Sequence, residues 1–308
     1  MTNFKGFASL VVLATAVVTN LGAETHCPGN VASVPFQVVN RHQIIVAVSV
    51  NKSGPYNFLL DTGTQITMVD PSLATELNLS TSGEAEVASA GFRASASFAN
   101  LDSLQAGSHG VANQKVLVYD LQNLQAPGLN IQGVLGEDFL EQFDMLIDNA
   151  HSLLCLDDSA AMRAEVKGQH VDLLTPSQTP AQTGNGTPLP KSLIVSVRLS
   201  DGMRPVRLKL DSGTNIPFLY NTSEYLALGA YRGASLTGGA SGAQRIYTAL
   251  PPQNVKIGSV ELAKVLFVTL AGAQKDRRTS DFDGLVSLGL FRCVFIDHAD
   301  HFAIFDPK

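Results

Sequence analysis

The chain has 308 residues, with 21 Lys and Arg against 27 Asp and Glu and a formal net charge of −6. This mildly acidic balance carries no basic footprint for nucleic acid. The length accommodates two units, each large enough to bury its own core on the usual domain-size scale of roughly 50 to 200 residues.

The first residues carry one cation, Lys5, and then run apolar from Phe7 to Val18 apart from Ser9 and Thr15. Small residues follow at Gly22 and Ala23, which predicts a signal peptide over 1–23 and an exported protein, periplasmic or secreted. The apolar run is short for a membrane-spanning helix, so no stable membrane span is expected after signal removal.

From Tyr56 the chain alternates apolar residues into Phe58-Leu59-Leu60 and then reads Asp61-Thr62-Gly63-Thr64. A second short strand is predicted over 65–69, and Asp70-Pro71-Ser72 reads as the cap and first turn of a helix to Leu77. The same order returns later. Val206, Leu208 and Leu210 alternate into Asp211-Ser212-Gly213-Thr214, a short strand follows over 215–220, and Asn221-Thr222-Ser223 caps a helical stretch to Leu228. Further on, the glycine-punctuated run 131–140 is answered by 282–291, and each copy closes with a hairpin, 145–157 in the first and 294–306 in the second. An internal duplication at this scale implies two homologous units. Both read as mostly β, a first lobe over 34–158 and a second over 191–308. Between them, 159–190 is polar and rich in Gly and Pro without periodicity, the pattern of a flexible linker.

Three cysteines allow at most one intrachain disulfide. Cys27 has Cys155 or Cys293 as its possible partners, yet both lie in strand-like apolar runs, which favours buried thiols. The cysteines lack the close paired spacings of a zinc site. His298, Asp300 and His301 fall in the turn of the last hairpin and read as a solvated turn rather than a metal cluster. Lys275-Asp276-Arg277-Arg278 reads as a solvated loop. No Ser/His/Asp or Cys/His nucleophile pattern is recognisable.

Two carboxylates on duplicated turns suggest a specific chemistry. Held close together they cannot both ionise easily, so one keeps its proton. The ionised member then accepts a proton from a bound water while the protonated member donates to a carbonyl oxygen, which cleaves an amide without a covalent intermediate. The glycines at 63 and 213 permit close approach of the two turns, and the hydroxyls of Thr62 and Ser212 are placed to cross to the opposite loop.

At these residues the chain resembles the pepsin and retropepsin superfamily of aspartic proteases, in particular bacterial exported proteins with two retropepsin-like lobes. The resemblance rests on the two Asp-(Thr/Ser)-Gly-Thr motifs and on Val134-Leu135-Gly136, and it spans nearly all of the mature chain. It implies an all-β acid-protease fold of two lobes related by a pseudo-two-fold axis, with Asp61 and Asp211 as catalytic dyad. Thr62, Gly63, Thr64, Ser212, Gly213 and Thr214 become the supporting residues of the two loops. A hairpin flap is expected to close over the substrate, with Gly238, Gly239 and Tyr247 as its candidate residues in the second lobe. The second supporting element, taken as Ser287-Leu288-Gly289, departs from the apolar-apolar-Gly pattern. The Thr64 and Thr214 hydroxyls are both expected to donate to the carboxylates. An aspartic endopeptidase acting on a peptide or protein substrate follows, monomeric as a pseudo-dimer, with no metal or organic cofactor implied. A catalytically idle peptide-binding or scaffold protein, and a protease acting only on itself or on one partner, are the alternatives.

Overall fold

The computed structural model describes residues 26–89, 92–125, 128–174, 189–200, 204–220, 235–238, 245–270 and 281–307. The predicted signal peptide, the helical stretch at 221–228, the basic run 275–278 and Gly239 lie outside them. Among the described residues, no helix is long and apolar enough to cross a membrane.

The N-terminal half contains β1 (Ser33–Val39), β2 (Gln43–Val50), β3 (Ser53–Leu60), β4 (Met68–Val69), α1 (Pro71–Glu76), β5 (Thr81–Ser89), β6 (Phe92–Ala106), β7 (His109–Val118), β8 (Gly133–Leu135) and α2 (Glu137–Leu140). It closes on the hairpin of β9 (Asp144–Asp148) and β10 (Leu153–Asp157). The start of α1 follows the sequence closely: Pro71 occupies its first turn and the Asp70 side chain accepts from the Ser72 N–H at 2.9 Å. A further short helix, α3 (Ala161–Glu165), and β11 (Val171–Asp172) lead toward the C-terminal half. There follow β12 (Ile194–Val197), β13 (Val206–Asp211), β14 (Phe218–Leu219), β15 (Ser235–Gly238), β16 (Arg245–Ala249), β17 (Gln253–Ile257), β18 (Val260–Val265), β19 (Val268–Leu270), β20 (Gly284–Ser287) and the closing hairpin of β21 (Phe291–Asp297) and β22 (Phe302–Pro307).

The fold is all-β, and one pairing pattern occurs twice. In the first half neighbouring strands run β3-β8-β4-β7-β6-β5, and in the second β13-β20-β14-β19-β16-β15. The strand leading into each Asp triplet pairs in parallel with the later glycine-punctuated strand, Leu60 opposite Leu135 and Leu210 opposite Val286. Such central strands are covered on both faces, which is why Phe58, Leu59 and Leu60 are all buried. Phe58 and Leu60 enter the main core, while Leu59 packs with Ile45, Leu121, Ile131 and Val134 on the other face.

The two closing hairpins join through β9 and β21, which run antiparallel with Leu146 opposite Phe295 and Ile147 opposite Val294. This junction changes one expectation. The largest apolar cluster runs through both halves, from Val48, Phe58 and Phe139 to Leu210, Val286 and Phe291, rather than forming a separate core in each.

The segment read as a flexible linker also differs in its first part. β11 pairs with β22, and Arg163 of α3 ion-pairs with Asp144 (2.8 Å), Asp297 (2.6 Å) and Asp300 (2.9 Å), bridging the closing hairpins of both halves. A short helix and a two-residue strand are too brief to show a periodicity, so composition alone misses them. Residues 175–188 lie outside the described residues.

Cys155 is not a free thiol: it is bonded to Cys27, with the Cα atoms 5.8 Å apart. Its strand β10 pairs with β1, and Ser33 stands opposite Cys155, which brings the segment before β1 back to it. Cys293 is the free cysteine.

The turn read as solvated is only partly so. Asp300 is exposed, but His298 is buried against α2, with Nδ1 2.6 Å from the Phe143 carbonyl and Nε2 3.2 Å from Glu137 Oε2. Burial alone pulls the His298 proton affinity down. The hydrogen bond and charge of Glu137, with the Phe143 carbonyl and Asp144, outweigh it, so its pKa is raised, and when protonated the ring donates from both nitrogens.

Arg163 yields the first test. Asp297 is fully buried, and burial raises its carboxyl pKa, with Arg163 among the groups opposing the rise. Arg163→Met leaves that carboxylate without its cation, and stability should fall by about 2–4 kcal/mol at neutral pH, somewhat below the cost of breaking a wholly buried pair because the arginine is partly exposed. The loss should shrink as pH falls and the carboxyl takes up its proton, which urea unfolding at several pH values will measure.

Candidate active site

β3 and β13 each lead into an Asp triplet, and hydrogen bonds from side-chain hydroxyls hold the triplets face to face. The Thr62 hydroxyl donates to the Leu210 carbonyl and accepts from the Ser212 N–H, both at 3.1 Å. In return the Ser212 hydroxyl donates to the Leu60 carbonyl at 2.8 Å and accepts from the Thr62 N–H at 3.1 Å. Both side chains are buried. Each hydroxyl therefore fills a donor and an acceptor role on the opposite strand, and the backbone groups beside both aspartates are satisfied without water.

The glycines let the carboxylates meet. A Cβ placed on Gly63 would lie 2.6 Å from Cγ of Asp211 and 2.8 Å from Oδ1 of Asp61. A Cβ on Gly213 would lie 2.5 Å from Cγ of Asp61. Any larger residue at either place would displace a carboxylate, so both triplets require glycine for close approach.

The two aspartates sit in unequal surroundings. Asp61 Oδ1 accepts from the Gly63 N–H and Oδ2 from the Thr64 hydroxyl, each at 2.8 Å. Asp211 is more deeply buried and accepts from the Thr214 N–H at 2.9 Å. Burial first, and the charge of Asp61 second, push the Asp211 carboxyl up to about 7, against the opposing effects of Lys209 and the Thr214 and Gly213 N–H groups. Those protons belong to the pair rather than to one residue.

Thr214 corrects an expectation. Its hydroxyl donates to the Ile216 carbonyl at 3.0 Å, not to Asp211. Ile216 precedes Pro217, which favours an extended backbone there, and its carbonyl meets the hydroxyl before the carboxylate does.

The supporting elements also differ in detail. Behind Asp61, Leu135 accepts from the Asp61 N–H at 3.0 Å, the Glu137 N–H donates to the Thr64 carbonyl at 2.9 Å, and the Gly136 N–H donates to the Thr67 hydroxyl at 3.1 Å. Behind Asp211 the equivalent strand is Leu285-Val286-Ser287, two residues earlier than the Ser287-Leu288-Gly289 assigned from sequence. Ser287 occupies the place of Gly136, and its hydroxyl donates at 2.7 Å to the Thr214 carbonyl, the counterpart of the Thr64 carbonyl. Asp138 is a half-buried carboxylate nearby. Burial raises it to about 6, although its bonds with Thr67 and Gln114 oppose the rise; its Oδ1 holds the Thr67 N–H and hydroxyl and so orders the chain after the first triplet.

Two of the flap candidates, Gly238 and Tyr247, lie on a hairpin. Gly238 ends β15, which pairs with β16, and Tyr247 on β16 turns its ring edge toward Phe218 at 6.2 Å between centroids. In pairing order this hairpin corresponds to β5–β6 of the first half.

Sequence reading missed three groups at the junction. Gln43 of β2 donates to the Gly213 carbonyl at 3.3 Å, and Lys209 of β13 donates to the Gly63 carbonyl at 2.6 Å. Glu137, buried with His298, is the third. The mismatch of Leu59 with Lys209 between the duplicated motifs was the available signal for one of them.

This all-β fold, with paired Asp-(Thr/Ser)-Gly turns backed by parallel strands, is of the aspartic protease type. A family model described as aspartyl protease matches residues 46–139, a span holding the first triplet and its supporting strand. No curated protein matches the chain significantly.

The crossed hydroxyls are open to direct test. Thr62→Val keeps the shape but leaves the Ser212 N–H and the Leu210 carbonyl without that partner; at about 1–3 kcal/mol for each buried group left unsatisfied, a loss of about 2–4 kcal/mol is expected. Ser212→Ala should cost a similar amount. Denaturant unfolding measures both, and a change below about 0.5 kcal/mol would show that the crossing does not hold the two turns.

Proposed function

We propose that the protein is an exported aspartic endopeptidase with Asp61 and Asp211 as its dyad. The observation that carries this reading is the convergence of the two carboxylates on the glycine faces of the opposite triplets. A water between them would lose a proton to Asp61, whose carboxylate oxygens are held by the Gly63 N–H and the Thr64 hydroxyl. Asp211, deeply buried, would hold the shared proton and donate it to the carbonyl oxygen of the scissile peptide. The tetrahedral gem-diol then collapses as the leaving nitrogen gains a proton, and no covalent enzyme intermediate forms. The hairpin with Gly238 and Tyr247 is the flap in this proposal, and an extended peptide lies between two lobes, 34–158 and 191–308. The Cys27–Cys155 disulfide supports export to an oxidising compartment, periplasmic or extracellular.

Asp61→Asn and Asp211→Asn should each leave the fold intact by circular dichroism and lower peptide cleavage by at least about 100-fold, the lower end of general acid–base contributions. Near-wild-type cleavage by either variant would favour the scaffold alternative. The Asp211 shift sets the pH range: the pair keeps one proton until pH climbs toward about 7, so turnover should be highest in acid and fall as pH rises through that value.

The threonines separate the two turns. Thr64→Val removes a hydroxyl from a carboxylate, a bond worth about 1.5–3 kcal/mol when the acceptor is charged, so kcat should drop by roughly 10- to 100-fold. Thr214→Val removes only a bond to a backbone carbonyl and should cost several-fold less. Equal losses in a peptide cleavage assay would contradict this difference between the turns.

A further inference from the structure

The duplicated strands differ at one buried position. Leu59 and Lys209 occupy equivalent places, two residues before their aspartates, each flanked by matching neighbours: Leu59 stands opposite Ile45 and Val134, Lys209 opposite Ile194 and Leu285. Leu59 fills an apolar slot. Lys209 is only 5% exposed, so its ammonium needs a partner inside the protein. Its Nζ reaches across the junction to the Gly63 carbonyl at 2.6 Å and lies 5.8 Å from the Phe282 ring centroid.

The two glycine carbonyls of the triplets thus each receive a side chain from the other half, but of different charge. Gly213 receives the neutral amide of Gln43, and Gly63 receives a cation. The charged groups acting on that cation are Asp211 of its own strand, Asp61 of the facing turn and Glu137 of α2, all anionic. Glu137 is itself held by His298.

We propose that Lys209 is a positioning residue of the dyad: its ammonium ties the Asp61 turn to the Asp211 strand and holds a positive charge behind both carboxylates. It acts through the Gly63 carbonyl and through space, not on substrate. A buried cation favours the ionised form of each carboxylate, so it lets the pair release its first proton at lower pH than two facing aspartates alone. The working range is thereby extended toward acid and cut off earlier on the alkaline side. Burial lowers the affinity of the lysine for its own proton, the three carboxylates oppose this in part, and the net shift is downward.

The role in turnover rests on the hydrolytic reading, whereas the effect on titration does not, and the test separates them. Lys209→Met keeps the length of the stem and removes the charge. Both limbs of the pH–rate profile should move to higher pH by roughly one unit, a typical size for an opposite charge at this range. The carboxylate carbon resonances of the pair, followed by NMR with labelled aspartate, should move equally. Profile and titration both superimposable on wild type would overturn the proposal. A shifted titration in a protein that cleaves no peptide would sustain the lysine's electrostatic role and sink the protease reading. If Lys209→Met does not fold, the wild-type lysine decides: the Lys209 Cε resonance should respond as the dyad titrates in acid, and silence over that range would overturn the proposal.

Discussion

Everything at the centre of this molecule answers to one constraint: two carboxylates face each other out of bulk water. Their mutual repulsion grows as the local dielectric falls, and an unpaired buried charge costs several kcal/mol. The surrounding structure offsets this with donors. The Gly63 N–H and Thr64 hydroxyl serve one carboxylate and the Thr214 N–H serves the other, while the Thr62 and Ser212 hydroxyls keep the adjacent backbone satisfied. What the donors leave uncompensated appears as the raised pKa of Asp211. The strain of bringing like charges together is thus converted into a proton held near neutrality, which acid–base chemistry at a carbonyl requires.

Such a site depends on both halves being held in register far from it. β9 and β21 supply backbone hydrogen bonds between the halves, and the apolar cluster continues through both. Arg163 adds a charged clasp among Asp144, Asp297 and Asp300, and the Cys27–Cys155 bond anchors the chain ahead of β1. His298 and Glu137 add a polar contact between the last hairpin and the helix that follows the first supporting strand. A small slip along β9–β21 would move Ser212 relative to Thr62, so the junction and the facing turns are mechanically one unit.

Most of the fold was legible because it is written in repeated, local patterns. Apolar alternation into an Asp-(Thr/Ser)-Gly turn, a capped helix after Asp70 and a glycine-punctuated strand recur at matched distances, and the observed strand order follows both copies. The crossed hydroxyls of Thr62 and Ser212 were legible for the same reason. What escaped was non-local. Cys155 looked like a buried thiol because its partner lies 128 residues away. Lys209 looked like the solvent-facing member of an alternating strand, since period two cannot distinguish a wet face from a second buried one. The direction of the Thr214 hydroxyl depended on a nearby proline and not on its matching position in the motif.

The differences between the two copies are as informative as their likeness. Once a duplicated turn lies within one chain, each half is free to change the residues that support it, a freedom that identical subunits of a symmetric dimer lack. Ser287 stands where Gly136 does, and a hydroxyl replaces a backbone N–H as donor to the carbonyl after the triplet. Gln43 and Lys209 stand over the two glycine carbonyls with different charge. The two facing carboxylates sit in unequal surroundings, and Asp211 is raised by burial first and by the charge of Asp61 second. Different donors and a cation on one side make the two turns chemically unequal, while their geometry is held alike by the crossed hydroxyls retained in both copies.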